Sequence, residues 1–118
     1  MQVTRINGLS VLELEPTGPL LGSERDATDI LSDAFSSEAT VIVLPVQRLY
    51  PEFLRLRSGL AGAFIQKLQN YHCRLVILGD VSAAIAASTA LRDFVCETNR
   101  AGRHVFAPDR EAMLAALS

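Results

Sequence analysis

The residues nearest to chemistry in this chain are Ser58-Gly59-Leu60-Ala61-Gly62. An aperiodic stretch from Gln47 to Arg57 changes there into an apolar stripe at Leu60, Phe64 and Leu68, so a helix is expected to start at Ser58. The first N–H groups of a helix have no partner within it. A serine hydroxyl at that position accepts one of them, and such a cap would explain Ser58 by itself. The same N–H groups and the helix dipole also attract anions. Gly59 and Gly62 keep the first turn open to close approach. A phosphate on Ser58 would bring about two negative charges beside Arg55 and Arg57. Both readings, plain cap and anion or phosphate site, stand on the sequence.

Gly79-Asp80 closes a buried run from Arg74 to Leu78. Open α/β sheets bind ligands at the carboxyl ends of their strands. An aspartate there also closes a turn or caps the next helix, which is its commoner use. Arg92-Asp93 lies off the apolar stripe of its helix, either as a solvated pair worth under ~1 kcal/mol or facing a partner. His72 and His104 flank strands, with no second ligand at metal spacing. They are expected to be structural or exposed. Cys73 and Cys96 lack metal or redox spacing and read as reduced thiols, Cys96 partly exposed. No acid–base pair, nucleophile triad or glycine-rich phosphate loop appears. The chain is therefore expected not to be an enzyme and to use no cofactor and no metal.

The elements that must position these residues follow from turn chemistry and apolar period. Val3–Ile6 and Leu9–Glu15 flank Asn7-Gly8, the pair that most easily supplies the two positive φ angles of a type I′ hairpin. Ala27, Ile30, Leu31, Ala34 and Phe35 recur at helical spacing over residues 26–35, with Ser23 or Asp26 as cap. Thr40–Leu44 is a continuous β-branched run, the pattern of a strand covered on both faces, and Arg74–Leu78 is a second buried strand. Leu60, Phe64, Leu68 and Tyr71 form the face of a helix over residues 58–71. Ala83–Ala87 begins helically, Ser88 restarts the helix, and Gly102 suits the left-handed position after its end. His104–Ala107 is the last strand. Asp109 caps a final helix with Met113, Leu114 and Leu117 turned inward. Leu49, Tyr50, Phe53, Leu54 and Leu56 make the connection after Thr40–Leu44 unusually apolar, with Pro51 opening a short helical turn. Such residues either cover an open end of the core or stay exposed as a contact patch or lid.

The chain has 118 residues, 49% hydrophobic and 20% charged, with a formal net charge of −2. That is the size and balance of one globular domain. Lys and Arg are scattered rather than gathered on a stripe, so nucleic acid is not an expected partner. No run approaches the ~20 apolar residues that span a bilayer, and the N-terminus has no signal-peptide core. A cytoplasmic protein with no membrane contact is expected. A small chain with an apolar loop is also expected to form a homodimer, the commonest oligomer.

The run from Pro51-Glu52-Phe53 carries a family likeness. Leu56-Arg57-Ser58-Gly59-Leu60-Ala61-Gly62, Gln66-Lys67, Asn70-Tyr71, Gly79-Asp80, Leu91-Arg92-Asp93-Phe94 and Asn99 resemble a bacterial family known as domain of unknown function 4180. The likeness covers roughly the second half of the chain, and it brings no activity with it. The order of elements is similar to that of the STAS domain, the fold of bacterial anti-sigma-factor antagonists. That likeness implies a serine at a helix start, phosphorylated by a partner kinase, at the place of Ser58-Gly59-Leu60. Arg57 stands where that motif has an acid, and the preceding loop is several residues longer. The expectation is thus an α/β domain with a single mixed, mostly parallel sheet of about five strands, in the order β-β-α-β-α-β-α-β-α. Its function is expected to be regulatory, through a protein partner. The alternative is a small-ligand or anion-binding protein using Ser58 and Asp80.

Overall fold

A computed structural model describes residues 2–118. Two strands open the chain, β1 (Gln2–Ile6) and β2 (Leu9–Glu13), joined by Asn7 and Gly8 at φ 51° and 82°. Both angles are positive, as a type I′ turn requires. The chain continues through α1 (Glu24–Ser36), β3 (Val41–Pro45), α2 (Leu60–Asn70), β4 (Arg74–Leu78), α3 (Ser82–Ala87), α4 (Thr89–Ala101), β5 (Val105–Ala107) and α5 (Arg110–Ala116). The five strands form one sheet in sequence order. β1 pairs antiparallel with β2, and every later pair is parallel. The expected mixed, mostly parallel sheet is therefore present.

Alternation along the strands decides which residues meet which helices. Leu12, Ile42, Leu44, Leu75, Ile77 and Phe106 point to one face and pack with α1, α2 and α4. Val11, Val41, Val43, Val76 and Val105 point to the other face, where Met113 and Leu117 of α5 lie. Both faces being covered explains why the central strands are apolar without alternation. Ser23 begins α1 with a full capping box, its hydroxyl accepting the Asp26 N–H while the Asp26 carboxylate accepts the Ser23 N–H. This cap starts α1 two residues before the start read from the apolar stripe.

Three residues expected inside are outside. Phe35, Tyr71 and Leu114 are all substantially exposed. Phe35 and Tyr71 sit at the last turns of α1 and α2, past the amino ends of the strands that follow, so no sheet lies beneath them. Their rings instead meet edge-on, with centroids 5.9 Å apart. On α5 the pair Met113 and Leu117, four apart, faces the sheet, and Leu114 is turned about a quarter of the way round the helix from Met113.

A side chain closes the β5 edge of the sheet. At β5 the Asn99 carboxamide takes the place of a missing strand: its Oδ1 accepts the Phe106 N–H at 2.8 Å and its Nδ2 donates to the Phe106 carbonyl at 3.3 Å. One side chain thus satisfies the outward backbone of the edge. His104, expected as the first residue of this strand, precedes it and extends the ladder differently. Its Nδ1 accepts the Leu75 N–H at 3.0 Å, and its Nε2 lies 3.3 Å from Gln69 Oε1.

Candidate functional site: an arginine-rimmed groove

The segment from Val46 to Ser58 leaves the carboxyl end of β3 and makes three 3-10 turns, Val46–Arg48, Pro51–Leu54 and Leu56–Ser58. Pro51 opens the second turn, as expected from its fixed φ. The apolar residues here mostly tuck down. Phe53 is fully buried, edge-on to Phe64 with centroids 5.6 Å apart, and Leu49 is buried too. Burying a side chain the size of Phe53 contributes roughly 1.5–3 kcal/mol. The segment is pinned from outside as well. Leu21 and Leu49 pair as a parallel bridge, and the Tyr50 N–H donates to the Leu21 carbonyl at 3.0 Å. The Arg48 guanidinium donates to the carbonyls of Pro19 at 2.8 Å and Glu15 at 3.0 Å. Gly22 is needed at this junction: a Cβ there would lie 3.2 Å from both the Phe53 and Tyr50 rings.

Between the far flank of this segment and the α3–α4 break lies a groove of about 690 Å3. Leu54, Leu56, Ala84, Ala87 and Ala90 give it an apolar lining, and Arg55 and Arg57 stand on it from the loop side. The break is made by Ser88, extended at φ −147° and ψ 110°, whose hydroxyl accepts the Leu91 N–H at 3.1 Å and caps α4. The alanines keep α3 and the start of α4 low, so the wall opposite the arginines is small.

The arginines of this chain differ in what they do. Arg74 donates to the carbonyls of Arg103 and Gly102 at the end of α4, and Arg110 grips Glu13 at 2.7 and 3.3 Å. Arg92 and Arg100 pair with Asp93 and Glu97 on the surface. The guanidiniums of Arg55 and Arg57, like those of Arg5, Arg25 and Arg103, are on exposed residues and have no ion-pair or hydrogen-bond partner among the described residues; of these five, Arg55 and Arg57 line the groove.

Ser58 ends the third turn and is exposed. Its hydroxyl donates to the Glu52 carbonyl at 2.7 Å and accepts the Leu60 N–H at 3.2 Å. The helix begins two residues later than the change of pattern indicated, and Gly59 is its N-cap, left-handed at φ 77°. A left-handed angle is open to glycine at no steric cost. Ser58 therefore holds a free N–H of α2 from one residue further out than a cap. Gly62 faces open space in the first turn. These three residues stand directly after the groove's Arg57. Asp80 is apart from them: its Oδ1 accepts the Ser82 N–H at 2.9 Å, and the bonds from Ser82 hold its carboxyl below the usual range. It does not line the groove. Arg92 and Asp93, 3.5 Å apart, lie exposed on α4.

His104, Cys73 and Cys96 do not line the groove. Burial, with Arg103 and Arg74 nearby, pushes the His104 imidazole below its ordinary pKa. Burial raises the Cys73 thiol, and Cys96 is exposed. No group of three or more His, Cys, Asp and Glu among the described residues is placed to hold a metal ion. No helix of the described residues is long and apolar enough to cross a membrane. The α3–α4 wall was missed in the sequence, although the run of small residues from Ser82 to Ala90, broken only by Ile85, is the signal that could have marked it.

The family described as domain of unknown function DUF4180 matches residues 6–117. The chain belongs to this family. The match corrects the expectation of a likeness confined to the second half, because the hairpin turn and α1 lie inside it too. No curated protein and no solved structure matches the chain. The groove, Ser58 and the α3–α4 break all fall within the family's span.

Proposed function

We propose that this domain is a non-catalytic, STAS-like regulatory module of the cytoplasm that docks an acidic segment of a protein partner in the Arg55/Arg57 groove. The observation that carries this reading is the pair of uncommitted guanidiniums above an apolar lining. Arginine forks suit carboxylates, and the apolar lining suits aliphatic side chains between them. Ser58 adjoins the same two arginines and its hydroxyl is exposed. A phosphate there would compete with a docked carboxylate for Arg57, which gives the module a switch. The small-anion alternative draws on the groove volume, which lies within the ~300–1,000 Å3 usual for ligand pockets. Against it, the groove is open along one side and does not include Asp80.

A synthetic peptide alternating Glu and Leu, titrated into the 15N-labelled protein, should shift the amides of residues 54–57 and 84–90. The double variant Arg55→Ala/Arg57→Ala should abolish those shifts. Inorganic phosphate run in parallel tests the alternative, since phosphate alone producing the same shifts would favour an anion site. Peptide shifts scattered over the surface, or unchanged in the double variant, would remove the groove as the docking surface.

A further inference from the structure

We infer that the groove's occupant is a second copy of this chain, bound about a two-fold axis through Leu20 and Tyr50. This rests on the reading of the groove as a docking surface for carboxylates. The paired backbone of Leu21 and Leu49 adjoins two grooves of opposite character, since Leu21 itself lines one and Pro51, two residues after Leu49, lines the other. On one side stand Arg55 and Arg57. On the other, a groove of about 250 Å3 is lined by four carboxylates against the single guanidinium of Arg48. Two of those carboxylates, Asp29 and Asp33, are one turn apart on α1, exposed, and without a partner among the described residues. Like charges at that spacing repel, and the one basic residue of their helix, Arg25, stands four residues before Asp29 and makes no ion pair with either among the described residues.

The ridge between the two grooves is apolar. Leu20 is 42% exposed and Tyr50 is 38% exposed, and the Tyr50 N–H is tied to the carbonyl of Leu21. The face therefore runs acid, apolar, base. A two-fold axis through its middle sets the acids of one protomer against the arginines of the other, twice over. That self-complementarity is what a two-fold interface requires. Exposed ion pairs contribute little affinity singly. The apolar ridge supplies the contact, while the charges fix orientation and make it salt-sensitive. Each partner need cover only about 800 Å2 for a standard interface, roughly an eighth of the 6538 Å2 surface.

Sedimentation of the full chain tests this. At tens of micromolar in low salt the mass should be that of a dimer, with affinity falling at least tenfold on moving to 0.5 M NaCl. Arg55→Glu/Arg57→Glu and Asp29→Arg/Asp33→Arg should each be folded by circular dichroism and monomeric. Mixed together they should recover a dimer, because both contacts of the mixed pair are again of opposite charge. Should either double variant unfold, the salt dependence of the unaltered protein and the monomeric mass expected of Tyr50→Glu carry the test. A monomer in low salt, a mixture that stays monomeric, or growth beyond two copies overturns the inference. If it fails while the Glu-Leu peptide still binds through Arg55 and Arg57, the docking reading survives. If both fail, neither stands.

Discussion

Replacing His104 by leucine removes a buried hydrogen-bond acceptor from the amino end of β4 while keeping most of the side-chain volume. His104 is 6% exposed, and its Nδ1 accepts the Leu75 N–H at 3.0 Å. Leucine would leave that buried donor unsatisfied, at a cost of about 1–3 kcal/mol. A domain of this length unfolds with an entropy of roughly 250 cal/mol/K, so a loss of about 2 kcal/mol lowers Tm by about 8 °C. His104→Asn places an amide oxygen near the position of Nδ1 and should recover about half of that loss. The same geometry sets a pH dependence. Accepting through Nδ1 requires the neutral ring, and burial with Arg103 and Arg74 lowers its pKa below 6.5. The unfolded chain regains the ordinary value. Below about pH 6.5 the unfolded state therefore binds a proton that the folded state resists, and stability falls as pH drops toward the folded pKa. The slope is at most about 1.4 kcal/mol per pH unit. Thermal unfolding followed by circular dichroism between pH 8 and 5 reads both effects. The Tm gap between the unaltered protein and His104→Asn should narrow as pH falls, with His72 common to both. A His104→Leu variant within 2 °C of the unaltered protein, or equal pH slopes for the unaltered protein and His104→Asn, would refute the reasoning.

Two further outcomes test how the fold closes its edge and holds its candidate switch. Asn99→Ala should destabilise by about 1–3 kcal/mol, because both outward backbone groups of Phe106 lose their partner. It should also aggregate faster at equal unfolded fraction, since β5 then offers a bare edge; light scattering during a thermal ramp checks this. Ser58→Ala should cost about 1 kcal/mol and Ser58→Asp should stay folded, since an aspartate can still accept the Leu60 N–H. Under the switch reading the two variants change Glu-Leu peptide binding in opposite directions, and identical affinities would leave Ser58 a structural residue.

Local chemistry carried much of the architecture into the sequence. Asn7-Gly8 specified the hairpin because few other pairs reach two positive φ angles at so little cost. The unbroken apolar runs at residues 41–44 and 75–78 read as strands covered on both faces, hence a parallel core between helices. Ser88, Gly102 and Asp109 marked helix ends through bonds that each residue makes within a few positions of itself. Where the outcome depended on distant neighbours, the sequence was silent or misleading. Phe35 and Tyr71 continue apolar stripes, and only the end of the sheet beneath them turns them to solvent. His104 looked like a lone histidine, and its role depends on Leu75, 29 residues away. Arg55 and Arg57 are visible in the sequence as neighbours. That they are uncommitted, and that a low wall of alanines faces them, was decided by tertiary packing. Backbone angles and caps are settled within a turn of chain. Edges, grooves and the partners of charges are settled by where separate elements come to rest against one another.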